Sequence, residues 1–300
     1  MLKTESPSSS HPELDKYALP ELISCFIEDQ TDAVNAVRLA APQLARAVAE
    51  ALPRIQAGGR LIYVGAGTSG RLGVLDSVEL HPTFSWPHQR ALALLAGGPS
   101  AMFVAVEGAE DDEPQGALDL RALQPTANDV VLLLAASGAT PYVLGALREA
   151  RLAGALTLGF ANNPHAPVAE QADIGITLDT GPEVISGSTR LKAGSAQKMA
   201  LNTFSSALMV KLNKVYGNLM VDLKASNAKL VRRALAMTMQ AGAADEASAR
   251  AMLEACGNHV KLAVVALRLQ LPVEQARIAL EQADGNVRQA LAEGKASSLA

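Results

Sequence analysis

The densest group of potential ligand-holding residues is Leu61-Ile62-Tyr63-Val64-Gly65-Ala66-Gly67-Thr68-Ser69-Gly70, where an apolar run breaks into glycines and then hydroxyls. A strand, a tight turn and a helix start in that order aim backbone N–H groups and a helix dipole at one spot. That arrangement suits a phosphate, and Thr68 and Ser69 add hydroxyl donors. Gly65, Gly67 and Gly70 also spell the dinucleotide pattern GxGxxG, which is weak alone. A dinucleotide site calls for an acidic residue about 20 positions on, at the end of a second strand. Here His88, Gln89 and Arg90 occupy that stretch. A directly bound monophosphate is favoured, with a turn that holds no ligand as the plain alternative.

A second hydroxyl loop, Ser137-Gly138-Ala139-Thr140-Pro141, follows another apolar run. It reads as a second phosphate loop or as a helix N-cap with proline at the first helical position, and both roles can coexist. The stretch Gly181 to Lys198 holds four hydroxyls, three glycines and three cations ahead of a helix. It fits an anionic ligand, or equally a solvated basic helix start. The acid/base candidates are Glu79, just before His81-Pro82, and Glu110, within Val106 to Asp112. Taken singly each reads as a surface carboxylate. His259 beside Cys256 lacks the second pair that a zinc site needs, and Met237, Met239 and Met252 read as packing.

These residues need elements to position them. Five short apolar runs, Leu61 to Val64, Ala91 to Leu95, Val130 to Ala136, Leu156 to Phe160 and Ile174 to Leu178, are mostly spaced widely enough for helical crossovers. The fold class is therefore α/β with a five-stranded parallel sheet. The glycine, serine and asparagine turns after the first, third and fourth runs fall at the carboxyl ends of strands, where such sheets bind ligands. Ahead of the sheet, Leu22, Ile23, Phe26, Val34, Val37, Leu44, Val48 and Leu52 recur at helical spacing and predict helices packed against the main domain. The helix carrying Glu79 is expected to open at Gly70 and to end near His81-Pro82. A long helix is predicted over Gln197 to Lys214. From Asp245 the turns at Gly257-Asn258, Leu271-Pro272 and Asp284-Gly285-Asn286 divide a helical module into Ser248 to Cys256, Val260 to Arg268, Val273 to Ala283 and Asn286 to Ala292, with a frayed tail from Lys295 to Ala300. The expected organisation is 1–50 as tail and helices, 51–220 as the ligand-binding domain and 221–300 as the helical module.

At 300 residues and 49% apolar with 3% aromatic, the chain can bury one or two cores built from Ala, Leu and Val. A formal charge of -4 gives no electrostatic case for nucleic acid or an anionic membrane. The first fifteen residues lack the apolar region of a signal peptide, and no run approaches the length of a membrane span, so a cytoplasmic protein is expected. Cys25 and Cys256 fit no metal or redox spacing and read as structural thiols.

The segments LIYVGAGTSGRLGVLDSVE (61–79), AVEGAED (105–111), AASGATPYV (135–143), GPEVISGSTRLKAGSAQK (181–198) and VYGNLMVDLKASNAKL (215–230) together resemble the sugar isomerase (SIS) domain. Within it they resemble the N-acetylmuramic acid 6-phosphate etherases and the related glucokinase regulatory protein. Thr4-Glu5 and Leu14-Asp15 resemble the family's opening, and the helical end its UBA-like module. The resemblance implies an α-β-α sandwich and a carbon–oxygen lyase. The enzyme would cleave the D-lactyl ether of a phosphorylated amino sugar by elimination and hydration, giving N-acetylglucosamine 6-phosphate and D-lactate during recycling of cell-wall sugars. It carries over Glu79 and Glu110 as the two functional glutamates; we assign Glu110 as the base at C2 and Glu79 as the acid that would assist lactate and later activate water. The acid role would need a pKa raised by burial or a second carboxylate. Thr68, Ser69, Ser137, Gly138 and Thr140 would bind the 6-phosphate, with Arg190 or Lys192 meeting the lactyl carboxylate. No cofactor or metal is implied, and a homodimer is. Leu80, His81 and Ala139 depart from the family's pattern beside the implied site. A non-catalytic sugar-phosphate sensor and an aldose-ketose phosphate isomerase are the alternatives.

Overall fold

The computed structural model describes residues 2–223 and 228–297. The motif from Val215 to Leu230 and the tail from Lys295 to Ala300 thus lie partly outside the described residues. The chain forms two compact units, one comprising Met1–Val78 with His88–Ser206 and the other Glu79–Pro87 with Ala207–Ala300.

The first unit is built on five parallel strands, β1 (Leu61–Gly65), β2 (Ala91–Leu95), β3 (Val130–Leu134), β4 (Leu156–Ala161) and β5 (Ile174–Thr177), in the order β2-β1-β3-β4-β5. Leu61 stands beside Ala91 on one side and Val130 on the other, and Val130 beside Leu156. Strands β1, β3 and β4 are buried at every position, which is why they read as unbroken apolar runs. The edge strand β5 alternates buried Ile174 and Ile176 with half-buried Gly175 and Thr177. Crossovers are α3 (Gly67–Phe84), α4 (Glu113–Ala122), α5 (Pro141–Leu152) and α6 (Pro167–Gln171), ahead of α7 (Lys192–Lys211).

Two helices precede the sheet, α1 (Leu19–Leu39) and α2 (Ala41–Gln56). Helix α2 packs as its pattern predicts, burying Leu44, Ala47, Val48, Ala51 and Ile55. Helix α1 does not. It buries only the small residues Cys25, Ala33 and Ala36, and leaves Leu19, Ile23, Ile27 and Val34 exposed. A second correction concerns α3, which opens at Gly67 and runs through His81-Pro82 to Phe84. Pro82 sits in the last turn, where it removes one N–H donor but need not break the helix. The Trp86 N–H reaches back to the Leu80 carbonyl at 3.4 Å.

In the second unit α8 (Ala228–Gly242), α9 (Glu246–Ala255), α10 (Val260–Leu269), α11 (Val273–Gln282) and α12 (Val287–Ser297) share a core that includes Ala234, Leu253, Val260, Val264, Ala276, Val287 and Leu291. The expected punctuation is present. The Asp245 carboxylate caps α9 by accepting from the Ser248 N–H at 2.8 Å, and Asn258 and Gln270 take left-handed backbone at the turns. Helix α8 joins the same core, and α12 extends past the expected end at Ala292.

Candidate active site

Between β1 and β3 the winding of the sheet reverses, so the loops leaving their carboxyl ends diverge and open a crevice. A cleft of about 450 Å³ fills it, lined by Thr68 and Ser69 from the first loop, Ser137 and Thr140 from the second, and Glu110 and Thr189.

The first loop is shaped by a close approach. A Cβ on Gly65 would lie 2.7 Å from the Gly70 backbone, and one on Gly70 2.6 Å from the Gly65 carbonyl oxygen. Strand end and first helical turn therefore touch, and only glycines permit it. Because α3 opens at Gly67, its first N–H groups have no intrahelical acceptor and face the cleft end of the helix. Strand β2 ends at Leu95 and continues as Ala96-Gly97-Gly98, so no carboxylate stands where a dinucleotide ribose would need one.

In the second loop Thr140 occupies the N-cap position of α5 with Pro141 at the first turn, yet its hydroxyl makes no capping bond. The Ser137 hydroxyl oxygen accepts from the Ala139 N–H at 3.2 Å. Gly138 shapes the loop: its φ is +74°, a Cβ there would lie 2.2 Å from the Ala166 Cβ, and its N–H is spent on the Ala135 carbonyl.

Glu110 sits on the single turn Ala109–Asp111, entered through left-handed Gly108 and left through Asp112, whose carboxylate caps α4 by accepting from the Gln115 N–H at 2.9 Å. Helix α4 then crosses α5 backbone to backbone. A Cβ on Gly116 would lie 1.9 Å from the Tyr142 carbonyl oxygen, and one on Gly145 2.0 Å from that of Glu113. The Tyr142 hydroxyl donates to Asp119 at 2.6 Å, Arg121 pairs with Glu149 at 2.6 Å, and Arg148 pairs with Glu113. Since α4 begins three residues after Glu110 and α5 begins after Thr140, this crossing ties the segment that follows Glu110 to the helix that follows the second hydroxyl loop.

Glu79 is not among the residues lining the cleft. It lies about three turns beyond Thr68 along α3, falls in the second unit, and is exposed rather than buried as its acid role was expected to require. One turn before it, Asp76 is fully buried. Its carboxylate accepts from the Tyr63 hydroxyl at 2.8 Å, the Asn202 amide at 2.8 Å and the Ser205 hydroxyl at 3.3 Å. Burial pushes the Asp76 carboxyl up, and these donors with Lys198 only partly offset it. The network ties α3 to β1 and α7.

The block from Gly181 to Lys198 divides its work. Thr189 and Gly187 line the cleft. Glu183, fully buried, accepts from the Lys192 and Ala193 N–H groups at 3.1 and 3.0 Å and so caps α7. Lys192 is not available to a substrate carboxylate, because its ammonium is buried against Asp29 and Asp32 of α1 at 2.7 and 2.9 Å. Burial alone would lower its pKa, but those two bonds outweigh it and hold the value above the ordinary lysine range. Arg190 is exposed. Sequence reasoning passed over Glu5, which also lines the cleft. Its only signal was its place in the opening motif. A larger cavity of about 620 Å³ in the second unit has Val221, Leu223, Val260 and Leu280 in its wall. There Asp222 is already paired with Lys214 and Lys261, and none of the hydroxyl loops reaches it.

The family model described as the glucokinase regulatory protein N-terminal SIS domain matches residues 43–151, and the one described as the SIS domain matches residues 111–207. The chain is similar to an N-acetylmuramic acid 6-phosphate etherase of Deinococcus radiodurans, at 56% identity over 98% of this chain and 96% of that one. It is also similar to one of Pectobacterium atrosepticum, at 49% identity over 98% and 97%. Among solved structures, the C-terminal domain of glucosamine-fructose-6-phosphate aminotransferase from Francisella tularensis matches with a TM-score of 0.45 and 18% identity, covering 85% of this chain and 68% of that one. Sheet order, loop placement and family models make this a SIS-domain protein. More narrowly, identity over nearly the whole length means that the chain belongs to the N-acetylmuramic acid 6-phosphate etherase family.

Proposed function

We propose that the chain is a carbon–oxygen lyase that cleaves the D-lactyl ether of N-acetylmuramic acid 6-phosphate, giving N-acetylglucosamine 6-phosphate and D-lactate. The observation that carries this reading is the convergence of Thr68, Ser69, Ser137 and Thr140 with Glu110 in one cleft. The hydroxyls and the free N–H groups at the start of α3 hold the 6-phosphate, and the turn at Gly138 sets the spacing of the second loop. Opening of the sugar ring exposes a C1 aldehyde that acidifies the C2 proton. Glu110 takes that proton, backbone N–H groups stabilise the developing enolate, and Glu79 protonates the departing lactate oxygen at C3. Water then adds to the alkene.

The assembly we propose is a homodimer. Leu19, Ile23, Ile27 and Val34 form an exposed apolar stripe on α1 that a second copy would cover. A fully active monomer by sedimentation would refute this. Residues 51–220 are assigned the sugar-phosphate chemistry and 221–300 a helical module. No helix among the described residues is long and apolar enough to cross a membrane. The proposed compartment is the cytoplasm, where a phosphorylated sugar is retained.

Incubation with N-acetylmuramic acid 6-phosphate should release D-lactate. Tight binding of a hexose phosphate without lactate would leave a sensor instead. Glu79→Gln should block lactate release yet keep some solvent exchange at C2, because the two steps use different groups. Loss of both would contradict that division.

A further inference from the structure

The turn Lys3–Glu5 is held to the rim of the cleft by bonds that a loose tail would lack. Thr4 is fully buried. Its N–H donates to the Asn163 side-chain oxygen at 3.2 Å, and its hydroxyl accepts from the Asn163 amide at 2.9 Å. Asn163, itself buried, also donates to the Ala136 carbonyl at 3.1 Å, next to Ser137 of the second loop. Lys3 pairs with Asp179 at 2.6 Å, and the Ser8 N–H donates to the Ser186 hydroxyl at 3.3 Å. The turn is thus fastened to the loops after β3, β4 and β5. What it delivers is the Glu5 carboxylate, which lies in the cleft wall next to left-handed Gly187. A Cβ on Gly187 would come within 3.3 Å of a Glu5 carboxylate oxygen.

A carboxylate in this cleft needs a reason. Two helix starts and several hydroxyls make one part of it attractive to a phosphate dianion, and a negative side chain beside that part would oppose binding. The cleft must therefore divide into an anion-holding part and a part that takes neutral hydrogen-bond donors. No ion pair or hydrogen bond to the Glu5 carboxylate occurs among the described residues. We infer that Glu5 is a substrate-contacting residue, accepting a hydrogen bond from a hydroxyl or acetamido N–H of the sugar, and that Thr4 and Asn163 are positioning residues for it. This rests on the cleft being the sugar-phosphate site.

The test measures binding of N-acetylglucosamine 6-phosphate and of inorganic phosphate to the full chain, alongside lactate release. Glu5→Gln keeps the shape and removes the charge. It should weaken the sugar phosphate about tenfold and raise KM similarly, as expected for a hydrogen bond to an ionised acceptor, while phosphate affinity stays within about twofold. Retained phosphate affinity also shows that the variant is folded. Thr4→Val unties the turn without touching the carboxylate and should reproduce the loss of sugar affinity. Parental sugar affinity in Glu5→Gln would overturn the contact, as would an equal loss for both probes. Parental affinity in Thr4→Val would overturn the positioning role. A parent chain that binds the sugar phosphate but releases no lactate would sink the etherase activity and leave the Glu5 contact standing.

Discussion

The two edges of the parallel sheet treat their polar groups in opposite ways. At the amino edge Arg60 and Asp129, just before β1 and β3, lock together. The Arg60 N–H, Nε and Nη2 donate to the Asp129 carboxylate at 2.8, 3.0 and 2.6 Å, the Thr126 N–H adds a bond at 2.8 Å, and Arg60 also donates to the Leu123 and Gln124 carbonyls. These donors of Arg60 and Thr126 are spent inside the fold. At the carboxyl edge Thr140 stands at an N-cap without capping, the first N–H groups of α3 have no helical acceptor, and Glu5 and Glu110 are exposed in the cleft. In the proposed reading the first edge serves the fold, and these groups at the second serve a ligand. Changes at the carboxyl edge should therefore cost activity, and changes at the amino edge stability.

The largest separation should come from Glu110→Gln. It should lower kcat for lactate release about a thousandfold, within the range that loss of a general base produces, while the thermal midpoint hardly moves. A large drop in stability would mean that Glu110 also serves the fold. The opposite pattern is expected of Asp129→Asn, which leaves Arg60 without its counter-charge. A loss of about 2 kcal/mol in unfolding free energy is expected with kcat intact. Burial alone would raise the Asp129 carboxyl, but the bonds from Arg60 and Thr126 outweigh it and hold the carboxyl below the ordinary aspartate range. The stabilisation is then complete above the ordinary aspartate value and is lost as pH falls through the depressed folded value. The gap between parent and Asp129→Asn in denaturant unfolding should close over that acidic interval. A constant gap would mean that the charge is not what stabilises.

Gly145→Ala tests the region where the two edges are mechanically joined. A methyl group 2.0 Å from the Glu113 carbonyl oxygen must force α4 and α5 apart. A cost of about 1–3 kcal/mol is expected for that overpacking. Because α4 follows Glu110, kcat should fall as well, with inorganic phosphate affinity less affected. A variant that loses stability alone would show that the Glu110 turn is held by something other than the crossing.

Much of the fold was legible in the chain, and the reasons are local. Strands β1, β3 and β4, buried on both faces, read as unbroken apolar runs, and β2 and β5 are short apolar segments too, so all five appear close to their observed bounds. Gly65, Gly67 and Gly70 announce the first loop because the close approach of strand and helix admits no side chain. What was not legible depends on partners distant in sequence. Lys192 looked like an anion-binding cation because Asp29 and Asp32 lie far upstream on α1. Glu183 gave no sign of capping α7. The exposed stripe on α1 reads like a core-facing one, since periodicity reports an apolar face and not what covers it. The α4–α5 crossing rests on Gly116 and Gly145, whose roles appear only once the helices meet. Glu5 was missed because its placement depends on Asn163 holding Thr4.

The smallest expected effect bears most directly on the comparison. At an ordinary helix N-cap, replacing threonine by valine costs about 1 kcal/mol of stability, because a capping bond is lost. Thr140 makes no such bond, so Thr140→Val should leave the thermal midpoint nearly unchanged. If the hydroxyl is kept for the phosphate, the cost should instead appear in KM and in inorganic phosphate affinity, by roughly tenfold or less, the worth of one hydrogen bond to a charged acceptor. A midpoint that falls while phosphate affinity holds would place Thr140 with the amino edge, as a group spent on the fold. It would also remove one of the four hydroxyls on which the reading of the cleft depends.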